Sequence, residues 1–221
     1  MNTHAPIDNP PARLDAAAPI HDLLAGRRSP RAFAPRPVNS AQMTSLFEAA
    51  RWAPSSANEQ PWYFIVATPG DAPVYTALYE SLAEGNRRWA AAAPLLVLCL
   101  ARTTYVRTGK PNRHAWYDLG QAVASLALQA TAMGLAVHQM GGFDGGEAAR
   151  GCGVPEGFDP VVILAIGYAG AAGTLPEDLA QRERAPRSRK PLGSFVFSGA
   201  WGLPAHHLYS RDEDPGIRTN N

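Results

Sequence analysis

Ala53-Pro54-Ser55-Ser56-Ala57-Asn58-Glu59-Gln60-Pro61-Trp62 joins a helical pattern to a strand pattern, and between its two prolines it packs two hydroxyls and two amides. Such groups offer donors and acceptors together, the set that suits the rim of a polar heterocycle. The same residues are turn formers, so the stretch also reads as a plain turn; the density of amides and hydroxyls favours a site. Upstream, Asn39 or Ser40 can cap a helix, with Gln42 at the capping-box spacing from Asn39. Met43, Leu46, Phe47 and Ala50 then share one face, and Pro54 ends the helix. Downstream, Trp62 to Ala67 is aromatic and β-branched and reads as a strand.

Further out, Ile20 to Ala25 reads as a short helix leading into Arg27-Arg28-Ser29-Pro30-Arg31. Val74, Leu78 and Leu82 mark an amphipathic helix, and Leu95 to Leu100 a strand buried on both faces. The longest helix is expected from His114 to Met133, with Leu119, Val123, Leu126, Ala127 and Ala130 as its stripe. Its small residues Gly120, Ala122, Ala124, Ser125 and Ala127 admit a second backbone, and Gly134 is placed to end it. Leu135 to Met140 is a strand, Gly141-Gly142 a turn, and Asp144 with Glu147 repeats the capping spacing before a short helix. Val161 to Ile166 is a strand closed by Gly167. Residues 169–190 read as a loop with a charged middle, and Pro191 to Phe197 as a last strand. Residues 1–18 form a disordered leader, 19–200 one domain without linker or repeat, and 201–221 an irregular tail. Helices and strands mix throughout, so the pattern gives α/β or α+β.

The chain has 221 residues, a hydrophobic fraction of 46% and a net charge of +1. That balance supplies no overall field toward nucleic acid or membrane, so neither is expected as a partner. The apolar run Pro94 to Ala101 is far short of the ~20 residues of a spanning helix. Prolines and Asp8 occupy the N-terminus where a signal peptide needs an apolar core. With Cys99 and Cys152 as the only cysteines, a cytoplasmic protein is expected.

Three other segments bear chemistry. Arg27 to Arg31 sets three guanidiniums and a hydroxyl within five residues, a phosphate clamp or a solvated basic loop. His138-Gln139-Met140-Gly141-Gly142 ends a strand in a glycine pair that lets backbone amides approach a flat ligand. It also reads as a plain turn, with His138 a structural hydrogen-bonder. Arg184-Ala185-Pro186-Arg187-Ser188-Arg189-Lys190 is a second basic cluster, which either closes on the same phosphate or is solvated. A G-x-G-x-x-G after a strand, a phosphate-loop motif, a C-x-x-C pair and a G-x-S-x-G elbow are all missing. His206-His207 lack partners at metal spacing, so no metal is expected.

In this order and spacing the segments resemble the nitroreductase family: an R-R-S-x-R run, then A-P-S-S-x-N-x-Q-P-W from Ala53 to Trp62. A long helix entered near Tyr117-Asp118-Leu119-Gly120 follows, then a glycine turn and an R-K-P-L segment from Arg189 to Leu192. The resemblance covers roughly residues 20–200. It implies an α+β fold, a mainly antiparallel sheet flanked by helices, and an intertwined homodimer with FMN at its interface. By position, Arg27, Arg28, Ser29 and Arg31 resemble the phosphate and ribityl contacts, and Arg187 and Arg189 the closing phosphate ligands. Pro54, Ser55, Ser56 and Asn58 resemble the segment that the partner subunit supplies. Asn86 matches an asparagine on the pyrimidine side of the flavin, and Met140, Gly141 and Gly142 the backbone near its reactive nitrogen. Two positions depart: Gly141 stands where some relatives have a glutamate, and Trp89 where some have a lysine.

The resemblance implies hydride transfer from NAD(P)H through FMN to a nitroaromatic, quinone or similar small acceptor, by ping-pong kinetics. The cofactor carries the chemistry, so no catalytic side chain is expected. The same fold also suits an FMN-dependent dehydrogenase, dehalogenase or oxidase with a dedicated substrate, or a flavin-binding module without turnover.

Overall fold

Leu95–Arg102 forms strand β2, buried along nearly its whole length. A strand hidden on both faces needs apolar side chains at every position, which Leu-Leu-Val-Leu-Cys-Leu-Ala supplies. Leu95, Val97, Cys99 and Ala101 enter one core cluster, and Leu96, Leu98 and Leu100 enter the other. Burial pushes the Cys99 thiol far up, so it acts as a small core residue. The structure, a computed structural model, describes residues 16, 18–205 and 207–208. The expected leader thus lies almost wholly outside the described residues, as does most of the expected tail, His206 included.

Strand β2 pairs with β1 (Trp62–Ala67) on one side and β4 (Phe158–Gly167) on the other, and β4 pairs in turn with β3 (Ala136–Met140). All three pairings are antiparallel. β4 is longer than Val161 to Ile166. Phe158, Asp159 and Pro160 continue the ladder opposite Arg102, Ala101 and Leu100, past a register shift that leaves Val161 unpaired. The shift is what lets Pro160, which has no N–H to give, sit in an inner strand.

Helices α2 (Ser40–Arg51) and α5 (Ala115–Ala132) cover the first core, through Leu46 and Ala50 and through Ala115, Leu119, Ala122, Val123, Leu126, Ala127 and Ala130. The α2 capping box is formed: the Asn39 side chain accepts from Gln42 N at 2.9 Å, and Gln42 Oε1 accepts from Asn39 N at 3.1 Å. Gly134 follows α5 at φ 72°, the left-handed turn expected of it. The second core is covered by α3 (Ala72–Ser81), α4 (Glu84–Ala90), α6 (Gly145–Gly151) and α7 (Glu177–Arg184). The architecture is α+β, an antiparallel sheet with helices on both faces.

Two readings are overturned, and one helix lies where none is assigned. Residues 169–190 are not a loop throughout, because Glu177–Arg184 is helix α7. Only Leu179 and Ala180 are buried there, so no apolar stripe marks it. Its acidic first turn and basic last turn suit the helix dipole. Glu84–Ala90, where the pattern assigns no element, is likewise a helix with two buried residues, Trp89 and Ala90. Pro191 to Phe197 is not a strand; Leu192–Ser194 is a 3-10 turn, and Phe197 makes one isolated bridge, to Pro204. Pro191 and Gly193 both weaken strand pairing.

By contacts the chain divides into two units, Gly26–Arg184 and the residues on either side of it, Met1–Ala25 with Ala185–Asn221. The first holds the sheet and both cores. The second holds most of the short helix α1 (Asp22–Gly26), the Leu192–Ser194 turn, and a Phe197–Trp201 edge contact at 5.1 Å. No helix among the described residues is long and apolar enough to cross a membrane.

Leu164 is fully buried at the centre of the sheet, whereas Asn39 caps an exposed helix end. Leu164→Ala should therefore cost about 3 kcal/mol and Asn39→Ala about 1 kcal/mol. Urea denaturation checks both, and equal costs would contradict the placement of the core.

Candidate functional site

The arginine run crosses the end of α7 and the edge strand β3, and both hold it by its backbone. His138 lies in β3 with Met140 on the same side of the pleat, facing the second core. Its Nδ1 is 2.9 Å from the Pro30 carbonyl, and since a carbonyl only accepts, Nδ1 carries the proton. The imidazole packs on Trp89 at 4.5 Å, and Trp89 stacks on Phe33 at 6.2 Å. Trp89 is thus a core ring at 3% exposure.

From the other side, the Glu183 carboxylate accepts from Arg31 N at 3.0 Å. The Glu183 carbonyl accepts from the Arg28 guanidinium at 3.2 Å. Arg28 therefore caps the C-terminus of α7, where a cation suits the helix dipole. Arg27 donates to Ser29 Oγ at 3.1 Å. The half-buried Arg31 guanidinium forms no ion pair with a carboxylate among the described residues.

Strand β3 ends in Met140-Gly141-Gly142, and the turn is bound to α4. Asn86 Nδ2 donates to the Gly142 carbonyl at 3.0 Å, and Ala83 N donates to the same oxygen at 2.9 Å. A Cβ on Gly142 would come within 3.2 Å of Asn86 Nδ2, so glycine permits this approach. At Gly141 an added Cβ would meet nothing within 4 Å, which leaves that backbone open to a flat ligand. The Met140 side chain is buried in the core, so only its backbone can face a ligand. The sequence expectations for Asn86, Gly141 and Gly142 thus meet at one place.

The Pro54 to Gln60 segment lies elsewhere. It leads into β1, and β1 and β3 are opposite edges of the four-stranded sheet, about 14 Å apart at ordinary strand spacing. Ala57, Asn58 and Gln60 have φ of 53°, 54° and 52°, the only non-glycine residues with positive φ among those described. Left-handed backbone costs Ala57 and Gln60 about 1 kcal/mol each. Fixed contacts hold it: Ser56 N donates to the buried Asp118 carboxylate at 3.1 Å, and Gln60 N donates to Ser55 Oγ at 3.0 Å. The Glu59 carboxylate accepts from Val106 N. Strain held this firmly is characteristic of ligand-binding segments. Nearby in sequence, Asn112 accepts from His114 N through Oδ1, while its buried Nδ2 has no partner among the described residues.

In the second unit, Arg187 donates to the Ala25 carbonyl at 2.8 Å, and the exposed Arg189 donates to the Ser188 carbonyl at 2.7 Å. A concavity of about 930 Å³ lined by Glu80, Ser81, Arg87, Asp144 and Glu147 contains neither the arginine run nor Asn86, and its three carboxylates oppose an anion. The sequence left His138 as a structural alternative and did not single out Glu183. The signal for Glu183 was its acidic charge within a basic stretch.

Burial pushes the His138 imidazole below its ordinary value of 6.5, against the pull of the Pro30 carbonyl. A depressed folded pKa means that its contribution to stability is complete above pH 6.5 and is lost as pH falls through the folded pKa. Urea midpoints should therefore drop more steeply on acidification below about pH 6.5 in the wild type than in His138→Asn. Parallel profiles would contradict the buried, neutral assignment.

The family model described as "Nitroreductase family" matches residues 24–86 and 72–168, more than half of the chain. A Mycolicibacterium smegmatis protein, "Uncharacterized 15.4 kDa protein in ask 5'region", is 37% identical over 59% of this chain and 86% of its own. A Streptomyces coelicolor protein named "Putative NADH dehydrogenase/NAD(P)H nitroreductase" is 26% identical over 76% of this chain and 89% of its own. A solved structure described as "The crystal structure of the oxidoreductase containing FMN" has a TM-score of 0.81 and 34% identity, covering 89% of this chain and 100% of that one. The fold, the order of the motifs and these likenesses agree: the chain belongs to the nitroreductase family.

Proposed function

We propose that the protein is an FMN-dependent oxidoreductase that passes hydride from NAD(P)H to a small, flat electrophile such as a nitroaromatic or a quinone. The observation that carries this reading is the double load on β3: His138 fixes the arginine run, and four residues on, Gly142 meets Asn86. One short strand thus holds an anion clamp and a heterocycle edge about 13 Å apart along its length. An extended ligand with a phosphate at one end and a planar ring at the other matches both.

The donor set fits FMN. Arg31, with Ser29 and Arg27 beside it, is suited to the phosphate. Asn86 has an amide oxygen to accept from a ring N–H, and the open backbone at Gly141 admits a flat ring. When bound, FMN would supply the hydride-accepting and hydride-donating ring. The chain's part is to bind, orient and exclude water. The FMN-containing structure at 34% identity and the nitroreductase names of the relatives support cofactor and co-substrate.

The working form in this reading is a homodimer. Within one chain the strained Ser55 to Gln60 segment is separated from Asn86 by the width of the sheet. A second copy brings that segment to the first copy's clamp and completes the site. Arg187 and Arg189 are assigned to the phosphate on the resemblance of their segment.

Arg31→Ala with Arg189→Ala should raise the FMN dissociation constant by at least about tenfold, the cost of losing charge-assisted bonds. An unchanged constant would refute the clamp. Because donor and acceptor share one ring face, initial rates should give parallel double-reciprocal lines. Intersecting lines would contradict a shared site.

A further inference from the structure

Helix α7 is tied to both halves of the β3 assembly. At its C-terminal end Glu183 binds the arginine run twice, through its carboxylate to Arg31 N at 3.0 Å and through its carbonyl to the Arg28 guanidinium at 3.2 Å. Toward its N-terminal end the Asp178 carboxylate accepts from both terminal nitrogens of Arg88, Nη1 and Nη2, at 2.7 Å each, and Arg88 belongs to α4, the helix of Asn86. The Arg88–Asp178 pair is exposed, so it contributes little by itself. The contacts of Glu183 are part-buried and lead straight to the run.

We propose that Glu183 is a positioning residue for anion binding. Its carboxylate holds the Arg31 peptide while its carbonyl holds Arg28, so the backbone of the run is fixed from α7 as His138 fixes it from β3. With the backbone held on both sides, Ser29 and Arg31 are preorganised toward one anion, and less ordering remains to be done when it binds. A carboxylate beside a basic loop would ordinarily compete for the guanidiniums. Here its oxygen accepts from a backbone N–H, and no guanidinium is within ion-pair range of it among the described residues.

The proposal rests on reading the run as the FMN phosphate clamp, and the test separates the two. Dissociation constants for FMN and for riboflavin, which has the same ring but no phosphate, are measured by flavin fluorescence quenching on the wild type, Glu183→Ala and Glu183→Gln. The wild type should prefer FMN. Glu183→Ala should weaken FMN by about tenfold, the loss of a bond from a charged acceptor, and leave riboflavin unchanged. Glu183→Gln keeps an acceptor oxygen and should restore FMN binding to within about threefold. If Glu183→Ala does not fold, Glu183→Met keeps the packing without the acceptor and should show the same selective loss. A wild type without preference for FMN overturns the clamp reading and this inference with it. A wild type that prefers FMN, with Glu183→Ala or Glu183→Met unchanged or weakening both flavins equally, overturns the role of Glu183 alone.

Discussion

The candidate site depends on the register of β3 against β4. Ala136 to Met140 pairs with Gly167 to Ile163, and the pleat turns His138 and Met140 to one side and Val137 to the other. A slip of one residue would turn His138 toward the first core and away from Pro30. Apolar alternation prevents the slip, because Val137 and Met140 each fill a core that a polar neighbour would leave uncompensated. A packing constraint thereby places both the arginine run and the Asn86–Gly142 contact.

Much of this was legible in the sequence where local rules and burial agree. The Asn39–Gln42 box, the Trp62–Ala67 strand and the Gly134 stop occur as their residues indicate. Helices α4 and α7 were not legible, because each buries only two residues and presents charge elsewhere. Periodicity detects a stripe, and these helices have none. The apolar residues of Pro191 to Phe197 misled, because Pro191 and Gly193 outweigh them.

For the site, side-chain types were readable and partners were not. Arg27 to Arg31 announces an anion, but nothing in its residues says that Arg28 is occupied by the end of a helix far along the chain. Asn86 could be matched by resemblance, yet its approach to Gly142 needs the fold. The strain at Ala57 and Gln60 was also invisible, since neither residue favours left-handed backbone. It emerges from Asp118, Ser55 and Glu59 acting together on one segment.

The proposed function is that β3 and its attachments hold a flavin that nicotinamide reduces. Its most direct test is the absorption spectrum of the protein saturated with FMN, followed without oxygen as NADPH and then NADH are added. Flavin bands should bleach within seconds with at least one donor and recover when a quinone is added. Bands that persist with both donors would contradict it and leave a flavin fold that serves a dedicated substrate.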